Sequence, residues 1–97
     1  MKRNLIALKT LCSQYEIEFS FVHALHKTGL VEIVMVEEGH FIHQDQISNL
    51  ERMIRLHQDL HVNIEGIDVV INLLEKQSEL REELTVLKNR LRLYEND

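Results

Sequence analysis

The fold is decided by the stretch Phe21–His43, which reads FVHALHKTGLVEIVMVEEGHFIH. Its first part has apolar residues at helical spacing and ends at Thr28-Gly29, where glycine readily takes the left-handed conformation that closes a helix. The run Leu30–Val36 is β-branched and apolar, and after the polar turn Glu37-Glu38-Gly39 residues 40–43 return as a second strand. This order predicts a short helix followed by a β-hairpin wing.

Three short helices are predicted: one before this stretch, one at its start and one after it. Apolar residues recur at spacings of three and four, which is the pattern of one helix face. The predicted faces comprise Leu5, Leu8, Leu11, Cys12 and Tyr15 in the first helix, Phe21, Val22, Leu25 and His26 in the second, and Ile47, Leu50, Met53, Ile54 and Leu60 in the third. On the third helix Glu51 and Arg55 are spaced for an exposed ion pair. Two short helices joined by a tight turn predict a helix-turn-helix.

The C-terminal part predicts one long helix. Asn63 is the predicted N-cap, and Val62 and Ile67 are placed for a hydrophobic staple. No proline follows, so the helix is expected to continue for roughly 30 residues, or about 45 Å. The expected fold is mainly α, with a winged helix-turn-helix at residues 1–62 and a long coiled-coil helix at residues 63–97.

This long helix carries the alternating spacing of three and four that marks the seam of a coiled coil. The seam comprises Val70, Leu73, Gln77, Leu80, Leu84, Leu87, Leu91 and Tyr94. Homodimerisation is the favoured interpretation, and the alternative is that residues 80–94 fold back on their own domain. Parallel pairing is weakly favoured over antiparallel pairing. It would place Glu83 opposite Lys88 of the second copy and Arg90 opposite Glu95, which are two attractive pairs. The one repulsive pair would be Lys76 opposite Arg81.

Charge argues against nucleic acid as the partner. Between Thr10 and Glu51 the chain has one lysine, no arginine and seven acidic residues, and its formal net charge is −5 at pH 7. DNA-binding surfaces gain affinity from Lys and Arg that displace counterions from phosphates. A protein-binding module is therefore expected. DNA binding is the alternative if the basic residues share one face: Lys2, Arg3, Lys9, Lys27, Arg52 and Arg55.

Other classes of function are disfavoured. The 97 residues have no apolar run of the ~20 residues that span a membrane, and the start lacks an export signal, so a cytoplasmic protein is expected. Cys12 is the single cysteine and is interpreted as a small core residue, with a reactive role as the lesser alternative. No phosphate loop or nucleophile elbow is present, which predicts neither an enzyme nor a cofactor.

Six histidines raise the possibility of a metal site. Three pairs are closely spaced: His23 with His26, His40 with His43, and His57 with His61. Zinc needs three or four converging ligands, and the chain lacks the cysteines and the H-E-x-x-H pattern of a convincing site. Ordinary histidines and no metal are expected. Their protonation on mild acidification is predicted to weaken binding to a basic partner.

Several of these segments give the chain a resemblance to the MerR-type winged helix-turn-helix superfamily. They are Gly29-Leu30, the wing return Gly39-His40-Phe41-Ile42, and the hinge-like stretch Leu56–Ile67. MerR regulators usually have an arginine in the second helix and a basic residue in the wing return. Here His23 stands where the arginine is expected, and Glu37 and Glu38 occupy the wing. Neither feature suits phosphate contact.

A narrower resemblance is to the chaperone-modulatory CbpM-like family. The segments that carry it are Glu16–Val22, Ile54–His57, Asn63–Asp68 and Leu87–Glu95. The resemblance implies a protein that binds the J domain of a DnaJ/CbpA-type co-chaperone and inhibits it. Acidic residues suit such a partner, because J domains carry a basic helix and complementary charge favours steering and specificity.

The predicted partner-binding residues combine carboxylates with an apolar anchor. They are Glu16, Glu18, Glu32, Glu37 and Glu38, with Phe19 or Phe21 as the anchor if one ring is exposed. Interfaces usually depend on a few buried anchors within a polar rim, so carboxylates alone would bind weakly. The alternative is a solvated acidic face with both phenylalanines in the core.

Overall fold

The structure is a computed structural model that describes residues 4–95. The elements in chain order are strand β1 (Leu5–Ala7), helix α1 (Leu8–Tyr15), helix α2 (Phe19–Lys27), strand β2 (Val34–Val36), strand β3 (Gly39–His43), a 3-10 turn (Gln44–Gln46), helix α3 (Ile47–Leu60) and helix α4 (Ile64–Glu95). The predicted fold class is confirmed: a mainly helical chain with a hairpin wing and a long C-terminal helix.

The sheet contains one strand more than the predicted wing. Its three antiparallel strands have the order β1-β3-β2, with Leu5 opposite His43 and Val34 opposite Phe41. The assignment of Leu5 to the first helix was wrong, because residues 5–7 are extended and pair with β3. The backbone N–H of Gln44 also donates to the carbonyl of Asn4 at 2.8 Å, which extends the pairing between β1 and β3 by one hydrogen bond.

The strand predicted over Leu30–Val36 is shorter than expected and begins at Val34. The backbone before it has other partners. Leu30 N–H donates to the Leu25 carbonyl at 2.9 Å as part of the α2 cap, and Glu32 exchanges two hydrogen bonds with the Gln46 side chain, at 2.7 and 3.0 Å. These groups are therefore not free to join a strand ladder.

Helix α2 ends as predicted at glycine. Gly29 has φ +85°, and its N–H donates to the His26 carbonyl at 3.0 Å. Together with the Leu30 bond to Leu25, this arrangement is a Schellman motif, which satisfies carbonyls that the helix end leaves without partners. The cap turns the chain sharply toward the wing.

One apolar core joins the sheet to the helices. It contains Leu8, Leu11, Val22, Leu25, Val31, Ile42, Leu50, Met53, Ile54, Ile67 and Ile71, each no more than 6 % exposed. Cys12 is half-buried and packs against this cluster, as predicted for a small core residue.

The predicted ion pair between Glu51 and Arg55 is absent, because Glu51 instead accepts a hydrogen bond from the Tyr15 hydroxyl at 2.7 Å.

Helix α4 is anchored at its start and exposed beyond. Asn63 is its N-cap, since its side-chain oxygen accepts from the Gly66 N–H at 2.8 Å. Ile67 and Ile71 enter the core, whereas every residue from 75 to 95 is exposed. The helix is continuous, so residues 80–94 do not fold back on their own domain. None of the helices within residues 4–95 is long and apolar enough to cross a bilayer.

Candidate functional site

The five glutamates predicted to meet a partner are all exposed, but they lie in three places. Glu16 and Glu18 lie in the turn between α1 and α2, Glu32 precedes β2, and Glu37 and Glu38 form the turn of the wing. Glu16 and Glu37 have positive φ, at 55° and 56°, because each closes a tight turn.

A groove opens between α1, the start of α2 and the wing, and we call it the Phe19 groove. Its volume is about 480 Å³, within the range of roughly 300–1,000 Å³ usual for ligand pockets. Its mostly apolar walls include Leu8, Cys12, Phe19, Gly39 and Phe41. Lys9 from α1 and Glu38 from the wing turn are its charged residues.

The Phe19 ring is held at the groove by histidines rather than by the core. The Phe19 side chain is 46 % exposed, and its ring centroid lies 6.2 Å from that of His23 and 5.5 Å from that of His40, the latter edge-on. An exposed aromatic ring in a concave apolar surface is the kind of feature that marks a binding site.

Two local details shape the floor of the Phe19 groove. A Cβ on Gly39 would lie 2.7 Å from the Phe41 ring, so glycine is what allows that ring to lie against the wing backbone. Burial raises the pKa of the Cys12 thiol. The thiol is therefore a weak nucleophile near neutral pH, which fits a packing role better than a reactive one.

Phe21 lies at a different surface, which we call the His57 cleft. Its ring stacks on the His57 ring with centroids 4.5 Å apart, and the phenylalanine is half-buried. His57 Nδ1 lies 3.2 Å from the Val62 carbonyl, so the imidazole is held by the loop before α4. The cleft is also lined by Glu16, Glu18 and His61. Of the two candidate anchors, Phe19 therefore has the more exposed ring, whereas the Phe21 ring is packed against His57.

The structure brings only some of the predicted site residues together. Phe19 and Glu38 share one groove, Glu16, Glu18 and Phe21 share the His57 cleft, and Glu32 lines neither. Sequence reasoning missed Lys9, His40 and Phe41 as groove residues. Their proximity depends on packing α1 against the wing, and no local spacing signals it.

Two of the basic residues considered for DNA contact, Lys9 and Arg55, lie beside acidic residues. Lys9 shares the Phe19 groove with Glu38, and Arg55 lines a recess together with Glu51 and Asp59. Lys27 ends α2 on the exposed surface. Lys2 and Arg3, also considered for DNA contact, lie outside the described residues.

Some of the histidines are neighbours: the ring centroids of His23 and His26 lie 6.4 Å apart, and His23 and His40 both contact Phe19. His26 Nδ1 lies 3.1 Å from the Val31 carbonyl, and His43 Nδ1 lies 3.3 Å from an Asp45 carboxylate oxygen. Across residues 4–95, no three His, Cys, Asp or Glu side chains are grouped to hold a metal ion.

The predicted seam of α4 is exposed along most of its length. Val70 is half-buried near the domain, whereas Leu73, Leu80, Leu84, Leu87 and Leu91 are each more than half exposed, and Tyr94 is 78 % exposed. A different line of residues holds α4 to its own core: Ile64, Ile67, Ile71 and Leu74. The face used for intramolecular packing and the predicted seam are thus distinct.

Comparison with known proteins gives two consistent results. The sequence matches the MerR HTH family regulatory protein family over residues 6–89. It is 31 % identical over 85 residues to the chaperone modulatory protein CbpM of Pseudomonas entomophila (strain L48), and 32 % identical to the protein of that name from Pseudomonas putida (strain W619). Each match covers 87 % of this chain and 84 % of the relative. No solved structure matches the chain significantly.

Both names describe regulators rather than enzymes. The match to the MerR family extends from β1 into the distal half of α4, and the matches to the two Pseudomonas proteins cover most of both chains. The winged helix-turn-helix and the long terminal helix agree with this assignment. The chain therefore belongs to the MerR helix-turn-helix regulatory family and, within it, to the chaperone-modulatory CbpM-like proteins.

Proposed function

We propose that this protein is a chaperone modulator that binds the J domain of a DnaJ/CbpA-type co-chaperone and inhibits it. The observation that carries this proposal is the acidic helix-turn-helix surface with an exposed aromatic ring in an apolar groove. The names of the relatives supply the chaperone context. By covering the J-domain surface that engages Hsp70, the protein would lower co-chaperone activity in the cytoplasm.

Charge supports a basic protein partner over a nucleic acid. Glu16 and Glu18 are exposed in the turn before α2, and Glu37 and Glu38 are exposed in the wing turn, where Glu38 shares a groove with Phe19 of α2. A basic J-domain helix approaching this side meets carboxylates first, which accelerates association and favours the correct orientation. The apolar groove then supplies contact area that exposed charges alone do not provide.

We also propose that the protein is a homodimer through α4. The exposed seam of leucines would be covered by the same seam of a second copy, which removes apolar area from water. Gln77 lies within the seam and would restrict its register at some cost in stability. A dimer would present two copies of the acidic surface.

The direct test is calorimetric titration with a J domain from the same cell, at low and raised salt. Saturable binding that weakens with salt is expected, because exposed charges are screened. Charge reversal at Glu37 and Glu38 should weaken binding more than the same reversal at Glu79 and Glu82 on α4, which serves as the control for net charge. Equal losses in both variants, or no binding by the unaltered protein, would contradict the proposal.

The competing function is DNA binding, which the match to the MerR regulatory family favours. The acidic wing and the absence of arginine between residues 10 and 51 oppose it. Titration with duplex DNA under the same conditions separates the two functions. Tight DNA binding without J-domain binding would identify the protein as a transcriptional regulator of MerR type.

A further inference from the structure

We propose that the Phe19 groove receives an apolar side chain from a basic helix of the partner, with a cation next to that side chain pairing with Glu38. This inference rests on the proposed function and adds which of the exposed surfaces holds the anchor. It also predicts that the His57 cleft is not the anchoring site.

The groove has the composition of an anchor site. Its walls are mostly apolar, and the Phe19 ring supplies an exposed aromatic surface at one side. Binding energy in protein interfaces concentrates in such central apolar recesses, where an anchor side chain is fully desolvated. The volume of about 480 Å³ is sufficient for one large side chain and part of its neighbour.

The charges at the groove favour one orientation of the occupant. Glu38 lies on the wing side with Glu37 beside it in the turn, whereas Lys9 lies on the α1 side. A cation adjacent to the anchor is attracted toward the wing and repelled from α1. The pair of Glu38 and Lys9 thus contributes specificity, because a partner helix bound in the reverse orientation would place its cation beside Lys9.

The alternative anchor, Phe21, is already engaged. Its ring stacks on His57, and that imidazole is in turn held by the Val62 carbonyl. Phe21 therefore offers a partner less free ring surface, because it is half-buried and one face of its ring is covered by His57. Phe19 offers more, since it is 46 % exposed.

The first test compares two exposed apolar residues by calorimetry with the J domain. Phe19→Ala should weaken binding by about 10- to 100-fold, the usual range for an interface anchor. Val86→Ala on α4 is the control and should leave affinity unchanged, because Val86 is 49 % exposed but lies far along the projecting helix. Circular dichroism checks that both variants keep their helices.

The second test uses Cys12, which is the only thiol of the chain and lines the groove. Alkylation of Cys12 by a maleimide is measured above neutral pH, because burial raises the pKa of the thiol, and its rate should fall roughly 10-fold when a saturating J domain covers the groove and limits access to the thiol. Prior alkylation should in turn reduce J-domain affinity. The J domain used here needs to be free of cysteine so that the label reports on Cys12 alone.

The outcomes separate this inference from the proposed function. J-domain binding that is unaffected by Phe19→Ala, with unchanged Cys12 alkylation, would overturn the groove as anchor while leaving the proposed function intact. Failure of the unaltered protein to bind any J domain would overturn both. Loss of affinity in Phe19→Ala together with Cys12 protection would establish the groove as the anchor site.

Discussion

The Tyr15 hydroxyl donates a hydrogen bond to Glu51 Oε2 at 2.7 Å and thereby ties α1 to α3 across 36 residues of sequence. Both side chains are half-buried. The contact lies beside the core and away from the Phe19 groove, so it can be altered without touching the proposed binding surface. It also links stability to pH.

Tyr15→Phe should lower the free energy of unfolding by about 1 kcal/mol, because a partly buried carboxylate loses its donor. The hydrogen bond to Glu51, followed by burial and the repulsion from the Glu51 charge, raises the pKa of Tyr15. The contribution of this contact is therefore complete below the unfolded pKa of about 10 and is lost as pH rises through the higher folded value.

Urea denaturation of the wild type and Tyr15→Phe at about pH 8 and about pH 11 checks both statements. The difference between the two proteins should shrink at the higher pH. Glu51→Gln is the control, since it keeps an acceptor oxygen but removes the carboxylate charge. A constant difference at both pH values would show that Tyr15 ionisation does not contribute.

Gly29→Ala should destabilise the protein by about 1–2 kcal/mol through the backbone alone. Gly29 has φ +85°, and a Cβ added there would meet no atom within 4 Å. Gly29→Asn should cost less, because asparagine tolerates the left-handed conformation. Urea midpoints measured at one protein concentration test the ranking, and equal losses for alanine and asparagine would contradict it.

The contrast between Gly29 and Leu5 shows which parts of the fold were predictable from sequence. The Gly29 cap and the Asn63 cap are local, so their residues identify them directly. The spacing of three residues between Leu5 and Leu8 predicts a helix. The actual partner of Leu5 is His43, and a three-residue strand is too short to show an alternating pattern.

The candidate site was predictable in composition but not in arrangement. Charge indicates the acidic residues, and the need of an interface for an apolar anchor indicates the two phenylalanines. Phe19 and Phe21 could not be ranked, since both begin the same short helix and their exposure depends on the wing and on His57. Glu51 illustrates the same limit, because its tertiary partner Tyr15 replaced the local partner Arg55.

The α4 seam predicts a matched pair of oligomerisation variants. Leu87→Glu should convert the proposed dimer into a monomer, because each buried leucine contributes about 1.5–3 kcal/mol and both copies lose one. Val86→Glu adds the same charge at an exposed apolar residue outside the seam and should leave the dimer intact. Sedimentation equilibrium distinguishes these masses. A monomeric wild type, or equal effects of both substitutions, would refute pairing through this seam.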